Sequence, residues 1–146
     1  MRKLFALILG LAAGVTAFAQ QPQQPALGQQ DPAVAVNRTP KFPTVSVAEF
    51  AELIKTDNVI IVDVRTEKEF AEGHIQGAVN MPLDTKFQGL LNKSTWDKNK
   101  TLAVYCRSGR RSNAAGRKFV DKGFKVVELG GGLIAWQKEE QPVVKN

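Results

Sequence analysis

Two short runs of consecutive apolar residues stand out along the chain, Val59-Ile60-Ile61-Val62 and Leu102-Ala103-Val104-Tyr105. Such runs, with no polar alternation, mark strands buried on both faces, as in a parallel sheet covered by helices above and below. Ala78 to Met81 and Val126 to Leu129 predict two further strands. Between the strands the period changes. Ser46 and Glu49 form a capping-box pair, and Val47, Phe50, Ala51 and Ile54 fall at i, i+3, i+4 and i+7, so the spacing predicts an amphipathic helix over 46–56. Thr66 and Glu69 repeat the capping pattern ahead of a short helix ending near Gly73. Phe87, Leu90 and Leu91 give another helical stripe, and Ala115, Phe119 and Val120 mark a helix that Gly123 stops. After three glycines, 130–132, a short apolar helix carries Trp136. Strands separated by helices require crossover connections, so the fold class is α/β, three layers around a mainly parallel sheet.

The first forty or so residues follow none of these periods. A basic start, Met1-Arg2-Lys3, leads into the apolar stretch Leu4 to Val15 and then the small residues of Ala17-Phe18-Ala19. This is the pattern of a signal peptide cleaved after Ala19. Broken by Gly10 and Gly14, the stretch falls short of the roughly 20 apolar residues of a membrane span, so no stable membrane anchor is expected after cleavage. The protein is therefore expected to be exported, and periplasmic if its source is Gram-negative. Residues 20–43 hold six Gln and five of the seven Pro, a composition too poor in large apolar side chains to offset its own ordering entropy. They predict a flexible tether, leaving 44–146 as the globular domain.

Charge narrows the function classes only a little. Net charge is +6, or +4 once Arg2 and Lys3 leave with the leader. With no interleaving of aromatic and basic residues, a nucleic-acid partner is not expected. One cysteine, Cys106, and one histidine, His74, rule out an intramolecular disulfide and a four-ligand Cys/His zinc site.

Cys106 is where chemistry is expected. It ends a predicted central strand, and in open parallel sheets ligands bind beyond the carboxyl ends of the strands. Arg107-Ser108-Gly109-Arg110-Arg111-Ser112 follows, then a helix N-terminus. The helix dipole and three arginines would lower the thiol's pKa and make a thiolate nucleophile. Gly109 can take the positive φ that turns successive amides inward to cradle an anion. The plainer reading of a lone cysteine is a small buried hydrophobe. Three guanidinium groups on one tight turn weigh against it, because they repel one another unless an anion binds.

Three separated stretches, VDVRTEKEFAEGHIQGAVNMP, VYCRSGRRS and LGGGLIAW, closely resemble the signature regions of the rhodanese (thiosulfate sulfurtransferase) family, in order and spacing. The resemblance covers nearly all of 44–146. It implies a single rhodanese domain, a five-stranded mainly parallel sheet between helices, and Cys106 as the residue that accepts sulfur and becomes a persulfide. Residues 107–111 complete the six-residue loop that would bind a small anionic donor such as thiosulfate, and Ser112 opens the next helix. Cyanide or a thiol, including one on a protein, would be the acceptor, with no metal or organic cofactor. Asp63 and Arg65 match an Asp-x-Arg expected to form a structural ion pair near the loop. His74 and Trp136 match structural positions, so neither is expected to catalyse.

Two other readings share the fold. Cysteine phosphatases and arsenate reductases use a Cys-x5-Arg loop, which would need Arg at 112, where this chain has Ser112. A persulfide carrier or binding module would keep Cys106 but turn over small donors poorly.

Overall fold

The computed structural model describes residues 41–145. The leader expected over 1–19, and all of the expected tether except residues 41–43, lie outside the described residues.

Five strands form one sheet: β1 (Thr44–Val45), β2 (Val59–Asp63), β3 (Val79–Asn80), β4 (Thr101–Tyr105) and β5 (Lys125–Leu129). Their order is β1-β5-β4-β2-β3, and every pairing is parallel. The two continuous apolar runs are the adjacent strands β2 and β4, paired from Val59 with Thr101 to Asp63 with Tyr105. Central placement explains why neither alternates, since both faces are covered.

Four helices connect the strands, α1 (Val47–Leu53), α2 (Glu67–Glu72), α3 (Phe87–Lys93) and α4 (Arg110–Asp121), and α5 (Gly132–Lys138) follows β5. Both capping boxes form, with Ser46 and Thr66 as N-caps and Glu49 and Glu69 reaching back to the cap N–H groups. The helix expected to reach residue 56 ends at Leu53. There the Thr56 hydroxyl donates to the Leu53 carbonyl at 2.8 Å, taking an acceptor that a continuing helix needs.

Side-chain parity sorts the core into two layers. Ile61, Ala103, Tyr105 and Leu129 pack with Val47 and Phe50 of α1 and Leu133 and Trp136 of α5. Val62, Leu102, Val104 and Val126 pack on the opposite face, with Phe87 and Leu91 of α3 and Ala115 and Phe119 of α4. The result is a three-layer α/β/α domain.

One boundary moves. Phe42, placed by composition in the tether, is buried in the second layer with its ring against Gly116, where a Cβ would collide with it. Pro43 also accepts the Glu128 N–H through its carbonyl at 2.9 Å. The packed unit therefore takes in residues before Thr44.

Candidate active site

Cys106 follows β4 directly and continues the parity of Leu102 and Val104, so it joins the layer covered by α4. The chain then reverses through Arg107, Ser108 and Gly109 into α4. Gly109 has φ 102° and ψ −19°, a left-handed conformation that residues with a Cβ avoid. The turn folds its amides back over the sulfur, and the Gly109 N–H donates to Cys106 Sγ at 3.1 Å. Ser112 Oγ stands 3.5 Å from the same sulfur. Burial pushes the thiol's pKa up, but the Ser112 hydroxyl and the N–H groups of Ser112, Ser108 and Gly109 more than offset it. The thiol is held below its ordinary value. α4 has no acidic residue of its own in its first turn, so its positive end also faces the sulfur, although the Glu128 carboxylate of β5 bonds the Ser112 hydroxyl there.

The glycine turn before α5 braces this loop. Leu133 N–H donates to the Cys106 carbonyl at 2.8 Å and Ile134 N–H to the Arg107 carbonyl at 3.1 Å. Gly132, at φ 59°, is packed so closely that a Cβ would lie 2.6 Å from both carbonyl oxygens. Loop and glycine turn are thus built against each other, backbone to backbone.

The three arginines separate. Arg107 and Arg110 are exposed at the rim. Arg111 turns to α2 and binds Glu69 through two hydrogen bonds of 2.7 Å each. Glu69 is already the capping residue of α2, accepting from the Thr66 N–H and hydroxyl at 3.0 and 2.9 Å. The Arg111 guanidinium above all holds the Glu69 carboxyl down to about 2. Sequence grouped Arg111 with its neighbours as an attractor of anions; in the structure its charge is largely balanced by Glu69.

Asp63 and Arg65 form a buried pair on the opposite face of the sheet from Cys106. Arg65 Nε lies 3.1 Å from both carboxylate oxygens, and its Nη2 donates to Oδ2 at 2.7 Å and to the Gly73 carbonyl at 2.6 Å. The guanidinium carbon sits 5.9 Å from the Tyr105 ring centre. Arg65 nonetheless reaches the functional end of the sheet. Together with Glu69, Arg107 and Ile134 it lines a cleft of about 480 Å3.

His74 is buried, its ring stacked on Phe70 at 3.7 Å and its Nδ1 2.8 Å from the Phe70 carbonyl, so Nδ1 carries the proton. Its backbone exchanges two hydrogen bonds with Val144. Trp136 is buried edge-on to Phe50 and donates from Nε1 to the Pro142 carbonyl at 2.9 Å. Among the described residues no group of three or more His, Cys, Asp or Glu is placed to hold a metal ion.

Sequence reasoning passed over three residues of this site. Glu69 showed only as a cap, because its bond to Arg111 spans 42 positions. Glu128 is buried beneath the loop and accepts the Ser112 hydroxyl at 2.6 Å; an acid inside the apolar strand Val126 to Leu129 was the available signal. Gly132 was visible only as one of three glycines.

The chain matches the family described as rhodanese-like domain over residues 46–139. It is 36% identical over 93 residues to a sulfurtransferase of Allochromatium vinosum, covering 63% of this chain and 84% of that protein. To a thiosulfate sulfurtransferase of Escherichia coli it is 38% identical over 72 residues, covering 49% of this chain and 68% of that one. The crystal structure of a rhodanese-related protein from Thermoplasma volcanium superposes with a TM-score of 0.62 at 29% identity, covering 72% of this chain and 100% of that one. Fold, loop and sequence agree, and the chain belongs to the rhodanese-like domain family.

Proposed function

We propose that the protein is a sulfurtransferase that carries sulfane sulfur on Cys106. The observation that carries this reading is a lowered thiol under a turn of backbone N–H groups, at the end of a central parallel strand. The Cys106 thiolate attacks the outer sulfur of thiosulfate or a related donor. A bond forms between Sγ and that sulfur, the donor's sulfur–sulfur bond breaks, and sulfite leaves with its electron pair. Cyanide or a thiol then attacks the terminal sulfur of the persulfide and restores the thiolate. Loop amides stabilise the persulfide's terminal anion, while exposed Arg107 and Arg110 draw in the dianionic donor. Asp63 and Arg65 hold the ends of the neighbouring segments and take no part in the covalent steps.

Residue burial supports a small substrate. Cys106 is only 1% exposed, so a terminal atom reaches it more readily than a branched group does. A phosphatase reading lacks its guanidinium: Ser112 stands where that loop needs Arg, and Arg111 is turned to Glu69. A carrier reading keeps the same persulfide but predicts stoichiometric loading with negligible turnover. Steady-state formation of thiocyanate from thiosulfate and cyanide, in the wild type and in Cys106→Ser, separates the two. Turnover that the substitution abolishes supports the enzyme; stoichiometric loading alone supports the carrier. The leader pattern of residues 1–19 supports export of this activity, to the periplasm if the source is Gram-negative; N-terminal sequencing of the protein recovered from cell fractions tests this, with cleavage after Ala19 expected and an intact Met1 start contradicting it.

A further inference from the structure

The cleft of about 480 Å3 beside the loop carries a charge that the donor half of the reaction does not use. Arg65, Glu69, Glu72 and Arg107 all line it, and two of these are neutralised in place, Arg65 by Asp63 and Glu69 by Arg111. The other two, Glu72 and Arg107, are exposed and form no ion pair or side-chain hydrogen bond among the described residues. Lys68, one turn before Glu72 on α2, lines a separate recess with Pro82 and Asp84. The remaining wall includes apolar Leu133 and Ile134, the latter 49% exposed, and the amide of Gln137. The cleft is tied to the nucleophile through its wall: Arg107 is the residue after Cys106, and the Leu133 N–H donates to the Cys106 carbonyl at 2.8 Å.

Glu72 works against the first half of the reaction, because a carboxylate on the cleft repels the dianionic donor that Arg107 draws in. The second half has other needs. Sulfite has left, and the persulfide stands on a residue that is only 1% exposed. An acceptor can send in its sulfur while the rest of its body stays outside the loop, and the cleft is the recess that shares a wall with that loop. One unpaired cation and one unpaired anion beside apolar surface match a small molecule that carries a carboxylate, an ammonium and a thiol.

We propose that the cleft seats the sulfur acceptor as a small zwitterionic aminothiol such as cysteine, with Glu72 binding its ammonium and Arg107 its carboxylate. The acceptor arrives as its thiolate, its proton already given to solvent. A bond forms between its sulfur and the terminal sulfur of the Cys106 persulfide, the bond from Sγ to that sulfur breaks, and the electron pair returns to Sγ. The acceptor leaves as its own persulfide and the Cys106 thiolate is restored. Arg107 serves both halves in turn, first the donor and then the acceptor's carboxylate. Glu72 serves the second half alone and sets which thiol is preferred.

This inference rests on the Cys106 persulfide of the proposed function, and two tests keep the two apart. The first needs no sulfur transfer. Cys106 is the chain's one cysteine, so alkylation by iodoacetamide reads it alone. S-methylcysteine has the ammonium and the carboxylate but cannot accept sulfur; in the full-length protein it should slow this alkylation more than 3-(methylthio)propionate, which lacks the ammonium. Glu72→Gln should remove the difference. Equal protection by the two compounds, or none by either, would overturn the proposal whether or not the protein transfers sulfur.

The second test loads the persulfide with thiosulfate, removes excess donor and follows the loss of one sulfur atom by intact mass. Glu72→Gln should lower the ratio of the discharge rate with cysteine to that with 3-mercaptopropionate about two- to fivefold, the size of one exposed charge pair, and less at high salt. Loading by thiosulfate should become faster in the same variant, since a repelling carboxylate is gone. An unchanged ratio in a protein that loads normally would overturn the role of Glu72 and leave the proposed function standing. Failure to load would contradict the proposed function, and the protection test would then decide whether the cleft holds a zwitterion.

Discussion

Arg111 and Glu69 meet through two parallel hydrogen bonds of 2.7 Å, and the same carboxylate caps the helix that carries it. One side chain thus ties the loop around Cys106 to the start of α2. The Glu69 carboxyl titrates at about 2 in the folded chain against an ordinary 4.5. A depressed carboxyl stabilises the fold above its unfolded value, and that stability is lost as pH falls through the folded one. Because both side chains are a quarter to a third exposed, the contribution is about 1–2 kcal/mol, less than the shift alone implies. Urea unfolding of wild type and Glu69→Gln should therefore differ near neutrality and converge between pH 4.5 and 2. A constant gap across that window would mean that the ion pair is not the source.

The rim arginines should behave differently from Arg111. Arg107→Ala and Arg110→Ala are expected to raise KM for thiosulfate several-fold at low salt, with little change in stability, and the effect should shrink as ionic strength rises. Kinetics at two salt concentrations, beside a melting curve, would check this. A loss confined to kcat and insensitive to salt would point away from donor attraction.

Buried ion pairs are costly to half-remove. Asp63→Asn leaves the Arg65 guanidinium in a site where it is only 5% exposed, and is expected to destabilise the domain by about 3–5 kcal/mol. Denaturant titration measures this directly. Replacing both residues by apolar side chains of similar volume should cost less than the single change.

Gly132→Ala probes the brace under the loop. The added methyl group would meet two carbonyl oxygens at 2.6 Å at a positive φ, so a cost of about 2–4 kcal/mol is expected, together with displacement of the Cys106 loop. Thiocyanate formation should fall further than the fraction of unfolded protein explains. Gly89→Ala is the control, because nothing lies within 4 Å of its Cβ position.

These sites also show what a one-dimensional pattern carries. β2 and β4 were legible because burial on both faces leaves an uninterrupted apolar run, and α1 and α2 because a capping box is local to four residues. β1 was not: at two residues, held by pairing with β5 alone, it has no period to detect. Phe42 was hidden for a similar reason, since its partner Gly116 is more than seventy positions away and its neighbours are polar or proline. Cys106 and its loop stood out because strand end, glycine turn and helix start are consecutive. Which arginine faces solvent, and which acid lies under Ser112, depend on contacts between segments that no local spacing encodes.

The most direct test of sulfur transfer through Cys106 is the intact mass of the reduced protein after thiosulfate, under thiol-blocking conditions and before any acceptor is added. One extra sulfur atom on the wild type, absent from Cys106→Ser and removed stoichiometrically by cyanide as thiocyanate, is the expected result. Thiocyanate formation by wild type with no added sulfur at Cys106, or undiminished in Cys106→Ser, would contradict it.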